Sequence, residues 1–427
     1  MSQDMDQLSR RTALKGLVAA SAAAALPSPL FAAPSSLKGA QAVLAELVAF
    51  GLPGAMGAVS SGGSDTFVTS AGHLDANSSR APDARTLWRL YSMTKPIVGV
   101  AAMILVGEGK LGLDQPVGDI IPALARPSVL VDPQGSLGDV RPASRPITVR
   151  HLMTHTSGHV SFASGSAAVQ KAIDDAGLLA LPISLPGRAA LKGNRPAGLA
   201  DYVDRLAKLP LMAEPGTEFN YGFGLDVIGR VLEIVEGKPF ETVLREKLFD
   251  PLGMHDTFFQ VPRARGKDLM TMVAFEGGKA SPLDTGPGSA WLDPPAYPSG
   301  GAGLVSSAHD YHRFLAMLAG EGMLAGVRVM SAEIARLAMS DLLDPSVDRS
   351  RIVIPGYFGQ GAGGALGGPG LNRDCFGWWG GGGTVAWVDK RTKLCGTMWQ
   401  QFMPADAVLR QADFCRAVYA DLQLSNA

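Results

Sequence analysis

The stretch Tyr91-Ser92-Met93-Thr94-Lys95-Pro96, followed by the apolar run Ile97 to Val106, decides how the rest of the chain is read. The run predicts a helix that ends near Gly107, where Gly-Glu-Gly breaks it. Residues i and i+3 share a helix face, so Ser92 and Lys95 point the same way. Ser92 falls in the first turn, where free backbone N–H groups and the positive end of the helix dipole favour developing negative charge. A hydroxyl, an amine one turn on and a helix N-terminus are the parts of an activated nucleophile. The same S-x-x-K letters recur at Ser35-Ser36-Leu37-Lys38 without such surroundings, and a capping serine followed by an exposed lysine reads identically. Context separates these cases.

A serine nucleophile needs a group to take its proton. No G-x-S-x-G elbow is present, so an α/β-hydrolase arrangement has no support. An amine accepts a proton only when neutral, a form that burial favours. A phenol, with a pKa of about 10, is close enough to an amine to share the proton. Glu214-Pro215-Gly216-Thr217-Glu218-Phe219-Asn220-Tyr221-Gly222-Phe223-Gly224 offers Tyr221 on a turn just before a helix. Backbone donors for an oxyanion are expected from Trp379-Gly380-Gly381-Gly382-Gly383, since glycines before a strand let a carbonyl approach the main chain.

Composition narrows the function class. The chain has 427 residues, 46% hydrophobic and 18% charged, with a formal net charge of -1. That suits a globular chain with a sizeable core and gives no reason to expect nucleic acid or an anionic membrane as partner. No apolar run in the mature chain reads as a membrane span. Residues 1–33 read as a twin-arginine signal peptide: Arg10-Arg11 precede the Ala-rich stretch Gly16 to Ala25, and Ala32-Ala33 follow. The expected location is therefore periplasmic or secreted. Cys375, Cys395 and Cys415 lack C-x-x-C spacing, and their odd number leaves at least one thiol over; buried apolar roles are expected.

The remaining elements follow from periodicity. Helices are expected over Leu37–Phe50, Ile147–Thr154, Leu199–Leu211, Leu225–Leu248, Ser307–Leu318, Ser331–Leu343 and Asp406–Leu422. Two short strands flank Gly62-Gly63, and Thr384–Val388 and Leu394–Trp399 form a strand pair. Ser161 to Pro196 reads as an extended loop or lid, and Gly359 to Gly370 as a mobile loop. His151, His155 and His159 have i, i+4, i+8 spacing, but Ser157-Gly158 interrupts the helix, so no metal site is expected. His309 and His312 are expected at a helix surface or boundary. The fold class is α/β plus all-α. An α/β domain built from 37–110 and 290–425 carries a mainly helical inserted domain, 111–289, with the ligand in the cleft between them.

Ser92-Met-Thr-Lys95, His155-Thr156-Ser157-Gly158, Pro215-Gly216-Thr217 leading to Tyr221, and the Trp379-Gly-Gly strand occur in the order seen in one known family. Together they resemble the serine β-lactamase and penicillin-binding protein superfamily, over about Leu37 to Leu422. The resemblance implies a β-lactamase/transpeptidase-like fold, an antiparallel sheet flanked by helices. It also implies Ser92 as acylated nucleophile, Lys95 as proton acceptor and Tyr221 as general acid/base. The backbone N–H groups of Ser92 and Gly382 would form the oxyanion hole, with Trp379, Gly380 and Gly381 beside them.

Two departures point to a subfamily. Phe223 stands where β-lactamases carry an amide-binding Asn, and Trp379 where they carry a cationic Lys. A site without its hydrogen-bonding partners loses discrimination for the ligand that needed them. Trp-Gly-Gly is similar to family-eight carboxylesterases, so a small neutral ester is the expected substrate, with no cofactor. Arg373 or Lys390 could still supply a cation from a neighbouring loop. The alternative is a β-lactamase or D-alanyl-D-alanine carboxypeptidase acting on amides. A third reading is a non-catalytic penicillin-binding-like sensor, or an acyltransferase.

Overall fold

A computed structural model describes residues 37–61, 66–160, 165–179, 194–276, 279–352, 354–403 and 410–425. The expected signal peptide lies outside the described residues, as does the Ser35-Ser36 pair. The apolar stripe Ala40, Val43, Leu44 and Leu47 makes Lys38–Phe50 a helix, α1, which Gly51 ends at φ 125°. Gly54–Ser61 (β1) and Phe67–Gly72 (β2) pair antiparallel, and Leu87–Arg89 (β3) leads to Ser92. The run after Lys95 is α2, Thr94–Gly107, buried without interruption from Thr94 to Leu105. A helix apolar on every side belongs at the centre of a fold. Pro96 is tolerated because it sits in the first turn, where its missing N–H has no helical partner to lose.

The middle of the chain is mainly helical, interrupted by one hairpin of β4 (Ser128–Leu130) and β5 (Val140–Pro142). Its helices are α3 (Val149–Met153), α4 (Ala167–Asp175), α5 (Leu199–Leu206), α6 (Gly224–Glu236), α7 (Phe240–Leu244) and the single turn α8 (Asp250–Leu252). Two expectations are corrected here. The segment read as an extended loop over Ser161–Pro196 contains α4, whose Val169 and Ile173 are buried and whose Ser166 caps the Val169 N–H. The single helix expected over Leu225–Leu248 is broken, because Gly237 turns left-handed at φ 63° ahead of Pro239.

A second hairpin, β6 (Met272–Glu276) and β7 (Lys279–Asp284), precedes β8 (Val305–Ser307), which pairs with β3. Then come α9 (Ala308–Ala319), the small hairpin β9 (Met323–Leu324) and β10 (Val327–Arg328), and α10 (Ala332–Ala338). The last third supplies β11 (Tyr357–Gln360), β12 (Ala365–Gly368), β13 (Leu371–Trp379), β14 (Val385–Asp389), β15 (Leu394–Trp399), β16 (Phe402–Met403) and α11 (Gln411–Asp421). Seven strands form one antiparallel sheet in the order β11-β12-β13-β14-β15-β1-β2. The two ends of the chain meet at the β1–β15 pairing, where Ala58 faces Thr397. Helices α1 and α11 pack together over a core of Leu44, Trp387, Phe414 and Tyr419, while α9 packs against β1, β14 and β15.

The Gly359–Gly370 segment is not a mobile loop: it contributes β11 and β12, and Gln360, Ala362 and Ala365 are fully buried. Its glycines are there for close approach. A Cβ on Gly363 would lie 2.3 Å from the Lys95 carbonyl, and one on Gly99 would lie 2.3 Å from the Ala362 carbonyl. The backbones of α2 and this segment touch directly. His312 is likewise corrected from surface to core. Its Nδ1 shares a 2.9 Å hydrogen bond with Ser60 Oγ and its Nε2 another of 2.9 Å with Thr397 Oγ1, tying α9 to the sheet. Cys375, Cys395 and Cys415 are buried thiols.

Candidate active site

Ser92 sits in a 3-10 turn, Tyr91–Met93, that runs straight into α2. The preceding residue, Tyr91, has φ +46°, a conformation a bulky residue adopts only when its surroundings impose it. Those surroundings are identifiable. The Tyr91 ring packs edge-on against Trp291 at 5.8 Å, and its hydroxyl donates to Met272 Sδ at 3.2 Å. On either side, Leu90 N–H donates to the Leu304 carbonyl and Tyr311 Oη donates to the Met93 carbonyl, each at 2.9 Å. Below the turn, the fully buried Arg89 pairs with Asp284 and donates to Gln401 Oε1. Gln401 in turn donates to the Arg89 carbonyl at 3.1 Å.

The structure brings Ser92, Lys95 and Tyr221 together. The hydroxyls of Tyr221 and Ser92 share a hydrogen bond of 2.6 Å, and Lys95 Nζ donates to Ser92 Oγ at 3.2 Å. Lys95 is 2% exposed; its Nζ lies 4.7 Å from the centre of the Tyr221 ring and donates to the Gly301 carbonyl at 2.7 Å. Tyr221 is reached because Gly216, at φ +76°, turns the chain ahead of it, while Gly216 and Asn220 donate to the Thr156 and His155 carbonyls. His155, itself at φ +58°, sets its ring edge-on to Tyr221 at 4.7 Å. Burial, with a smaller push from Lys95, holds the His155 imidazole neutral, its pKa far below the ordinary histidine value. His151 and His159 have separate duties: one ring nitrogen accepts from the Thr148 N–H, and the other residue's Nδ1 bonds to Ser157 Oγ.

The glycine strand is placed one residue away from expectation. Trp378, not Trp379, faces the site: its indole stacks on Tyr221 at 5.6 Å and its Nε1 donates to the Tyr221 hydroxyl at 3.4 Å. Trp379 stacks behind it and packs on the α1–α11 core. Gly380 is spent on a turn, its N–H donating to the Thr384 carbonyl at 2.9 Å. Gly381 lines the cavity beside Ser92, whereas Gly382 sits against the Tyr91 ring, where a Cβ would lie 3.1 Å away. Alternation along β13 could not choose between adjacent tryptophans, because both are large and apolar.

The cavity over Ser92 measures about 240 Å³ and has walls of Leu178, Leu179, Phe223, Tyr297, Ala302 and Met403, with Asp226 and Ser299 as its polar members besides Ser92 and Lys95. Arg373 and Lys390 are engaged elsewhere: the guanidinium lies over Phe358 at 5.3 Å, and the amine donates to the Met339 carbonyl at 3.2 Å. Sequence reading missed Gly301, Ser299 and Asp226, and left open which of Trp378 and Trp379 faces the cleft. The traces were a Ser-Gly-Gly run, a carboxylate inside an otherwise apolar helix start, and a doubled tryptophan. Among the described residues, no group of three His, Cys, Asp or Glu side chains is placed to hold a metal.

Comparison with known proteins gives the family and the fold. The sequence profile of the family described as Beta-lactamase matches residues 40–416. Esterase EstB of Burkholderia gladioli is 34% identical over 292 residues, covering 64% of this chain and 67% of its own. Lovastatin esterase of Penicillium rubens is 32% identical over 358 residues, covering 75% and 81%. The solved structure of EstCE1, described as a hydrolase with promiscuous acyltransferase activity, superposes with a TM-score of 0.73 at 25% identity, over 90% of this chain and 98% of that one. With its sheet, its helical middle and its Ser92–Lys95–Tyr221 cluster, this chain belongs to the Beta-lactamase family, in the serine β-lactamase and penicillin-binding protein-like superfamily, near its carboxylesterases.

Proposed function

We propose that the chain hydrolyses neutral carboxylic esters through an acyl-enzyme on Ser92. The observation that carries this reading is the Ser92 hydroxyl, 2.6 Å from a phenol and 3.2 Å from a buried amine, at the floor of a largely apolar cavity. Ser92 Oγ attacks the ester carbonyl while its proton passes to the Lys95–Tyr221 pair. The oxyanion is held by the N–H groups of Ser92 and Gly381, the latter chosen over Gly382 because it is the one that lines the cavity. The bond to the alkoxy oxygen then breaks, and Tyr221 returns the proton to the departing alcohol. Water then attacks the acyl carbonyl, giving its proton to the same Lys95–Tyr221 pair, and as the bond to Ser92 Oγ breaks the pair returns that proton to Ser92 and the acid leaves.

The relatives named as esterases support ester over amide substrates. So does the cavity wall, where Phe223 replaces an amide partner and neither Arg373 nor Lys390 reaches in to meet a substrate carboxylate. The test is hydrolysis of p-nitrophenyl acetate and butyrate beside nitrocefin, with Ser92→Ala as control. Ester turnover abolished in Ser92→Ala, with slow or absent nitrocefin cleavage, is the expected result. Fast nitrocefin turnover would make the chain a β-lactamase, and undiminished ester turnover in Ser92→Ala would remove Ser92 from the mechanism. Acyl transfer is the second reading, favoured by the activity described for EstCE1; it is read from ester products formed when an alcohol acceptor competes with water. Export by residues 1–33 belongs to the same proposal, and replacing Arg10-Arg11 with lysines is expected to retain the protein in the cytoplasm.

A further inference from the structure

Lys95 Nζ has two oxygen partners, the Ser92 hydroxyl and the Gly301 carbonyl. The second is not a feature of α2. It comes from the turn Ser299–Gly303, which must be held against the nucleophile helix by something else. That something is the carboxylate of Asp226 in the first turn of α6, the helix that follows Tyr221. Asp226 is 4% exposed, and its Oδ1 accepts from Ser299 Oγ at 2.7 Å and from the Gly301 N–H at 3.1 Å. Ser299 Oγ also accepts from the Ala302 N–H at 3.2 Å, so one carboxylate organises the whole turn. The fit leaves no slack. A Cβ on Gly301 would lie 2.6 Å from Asp226 Oδ2, and one on Gly300 would lie 2.3 Å from the Leu225 carbonyl. Burial pushes the Asp226 carboxyl above its ordinary pKa, opposed by Ser299, by the charge of Lys95 and by the turn's N–H groups.

We propose that Asp226 is a positioning residue for the acylation step: through the Ser299–Gly301 turn it holds the Gly301 carbonyl where it orients the Lys95 amine toward Ser92. The inference rests on the esterase reading above and deepens it. Tyr221, on the turn that enters α6, and Asp226, in its first helical turn, thereby make the start of α6 the segment that supplies one proton-handling group directly and aligns the other through a turn. Because Asp226 acts on Lys95 and not on substrate, its loss falls on the rate of acylation and not on binding.

The test compares Asp226→Leu, Asp226→Asn and Ser299→Ala in the full chain, with Ser92→Ala alongside. Readouts are p-nitrophenyl butyrate kinetics and the rate at which a fluorophosphonate probe labels Ser92, with circular dichroism to establish folding. Asp226→Leu, which removes the acceptor, is expected to lower kcat and the labelling rate about 100-fold, the size of effect that a misplacement of about 1 Å produces. KM is expected to change by less than about threefold, the signature of an interaction that matters only in the transition state. Asp226→Asn keeps an oxygen acceptor for the same two donors and is expected to recover most of the rate, to within about fivefold. Ser299→Ala, losing one of the two anchors, falls between them.

A folded Asp226→Leu that acylates at the normal rate overturns the proposal. So does a loss confined to KM, which would make Asp226 a substrate contact, or an equal loss in the Asn and Leu variants. If Asp226→Leu does not fold, Ser299→Ala decides: a lowered kcat supports the anchoring role and an unchanged one removes it. Turnover surviving in Ser92→Ala strikes the esterase mechanism itself, and is thus separable from failure of the Asp226 role.

Discussion

At the scale of single residues, the site depends on one hydroxyl pair whose members lie 129 positions apart. Tyr221→Phe is the cleanest probe of it, because the ring that stacks on Trp378 and abuts His155 stays while only the oxygen is lost. We expect kcat for p-nitrophenyl butyrate to fall by about 10²–10⁴-fold, the usual worth of a positioned acid–base group, with KM nearly unchanged. His155 explains part of this geometry. Among the described residues neither of its ring nitrogens has a hydrogen-bond partner, and its role is to wall the phenol with a neutral imidazole.

At the scale of elements, two contacts decide how α2 and the closing helix are held. Gly363, at φ +71°, lies against the Lys95 carbonyl, where a side chain has no room. Gly363→Ala is expected to destabilise the protein by about 1–3 kcal/mol and lower ester turnover too, since relief of the clash moves α2. Chemical denaturation and kinetics on the same sample check this. Helix α11 is tied to the sheet through Tyr419, whose hydroxyl donates to Asp389 Oδ2 at 2.9 Å and lies 3.2 Å from Cys375 Sγ. Tyr419→Phe leaves that buried carboxylate short of a donor and is expected to lose about 1–3 kcal/mol of stability, with kcat unaltered. The glycine-rich segment that holds Gly363 shows why element type was only partly legible. Glycines mark both loose loops and tight backbone contacts, and local sequence does not say which. In α2, by contrast, the unbroken apolar run admitted one reading.

At the scale of the whole molecule, four buried histidines, His151, His155, His159 and His312, couple stability to pH. Burial holds His312 near pKa 3 and His151 and His159 near 4, all below the ordinary 6.5. A depressed folded-state pKa means that the unfolded chain takes up protons first as pH falls. Stability is therefore full above about pH 6.5 and is lost progressively down to about pH 4 for His151 and His159 and about pH 3 for His312, by at most about 1.4 kcal/mol per pH unit for each histidine. Urea midpoints measured between pH 7.5 and 4, at values chosen in about half-unit steps, are expected to fall in that window, less steeply in His312→Gln. The same dense interior shields the thiols. Cys375, Cys395 and Cys415 are expected to react with a thiol reagent only after unfolding, because burial raises the Cys375 thiol to about 12 and that of Cys415 well above its usual value.

The local sequence by itself determined the pairing of the Ser92 hydroxyl with the Lys95 amine one turn on, because helix periodicity puts i and i+3 on one face whatever the rest of the chain does. It also marked Tyr221, since a turn followed by a helix start is written in neighbouring residues. What only the tertiary structure decided were the meetings between distant segments: Gly301 with Lys95, Asp226 with the Ser299 turn, and Trp378 in place of Trp379 over the phenol. Those depend on strand register and on which backbones can touch. Both are set by packing across the sheet and around α2, where pairs of residues far apart in sequence compete for the same space.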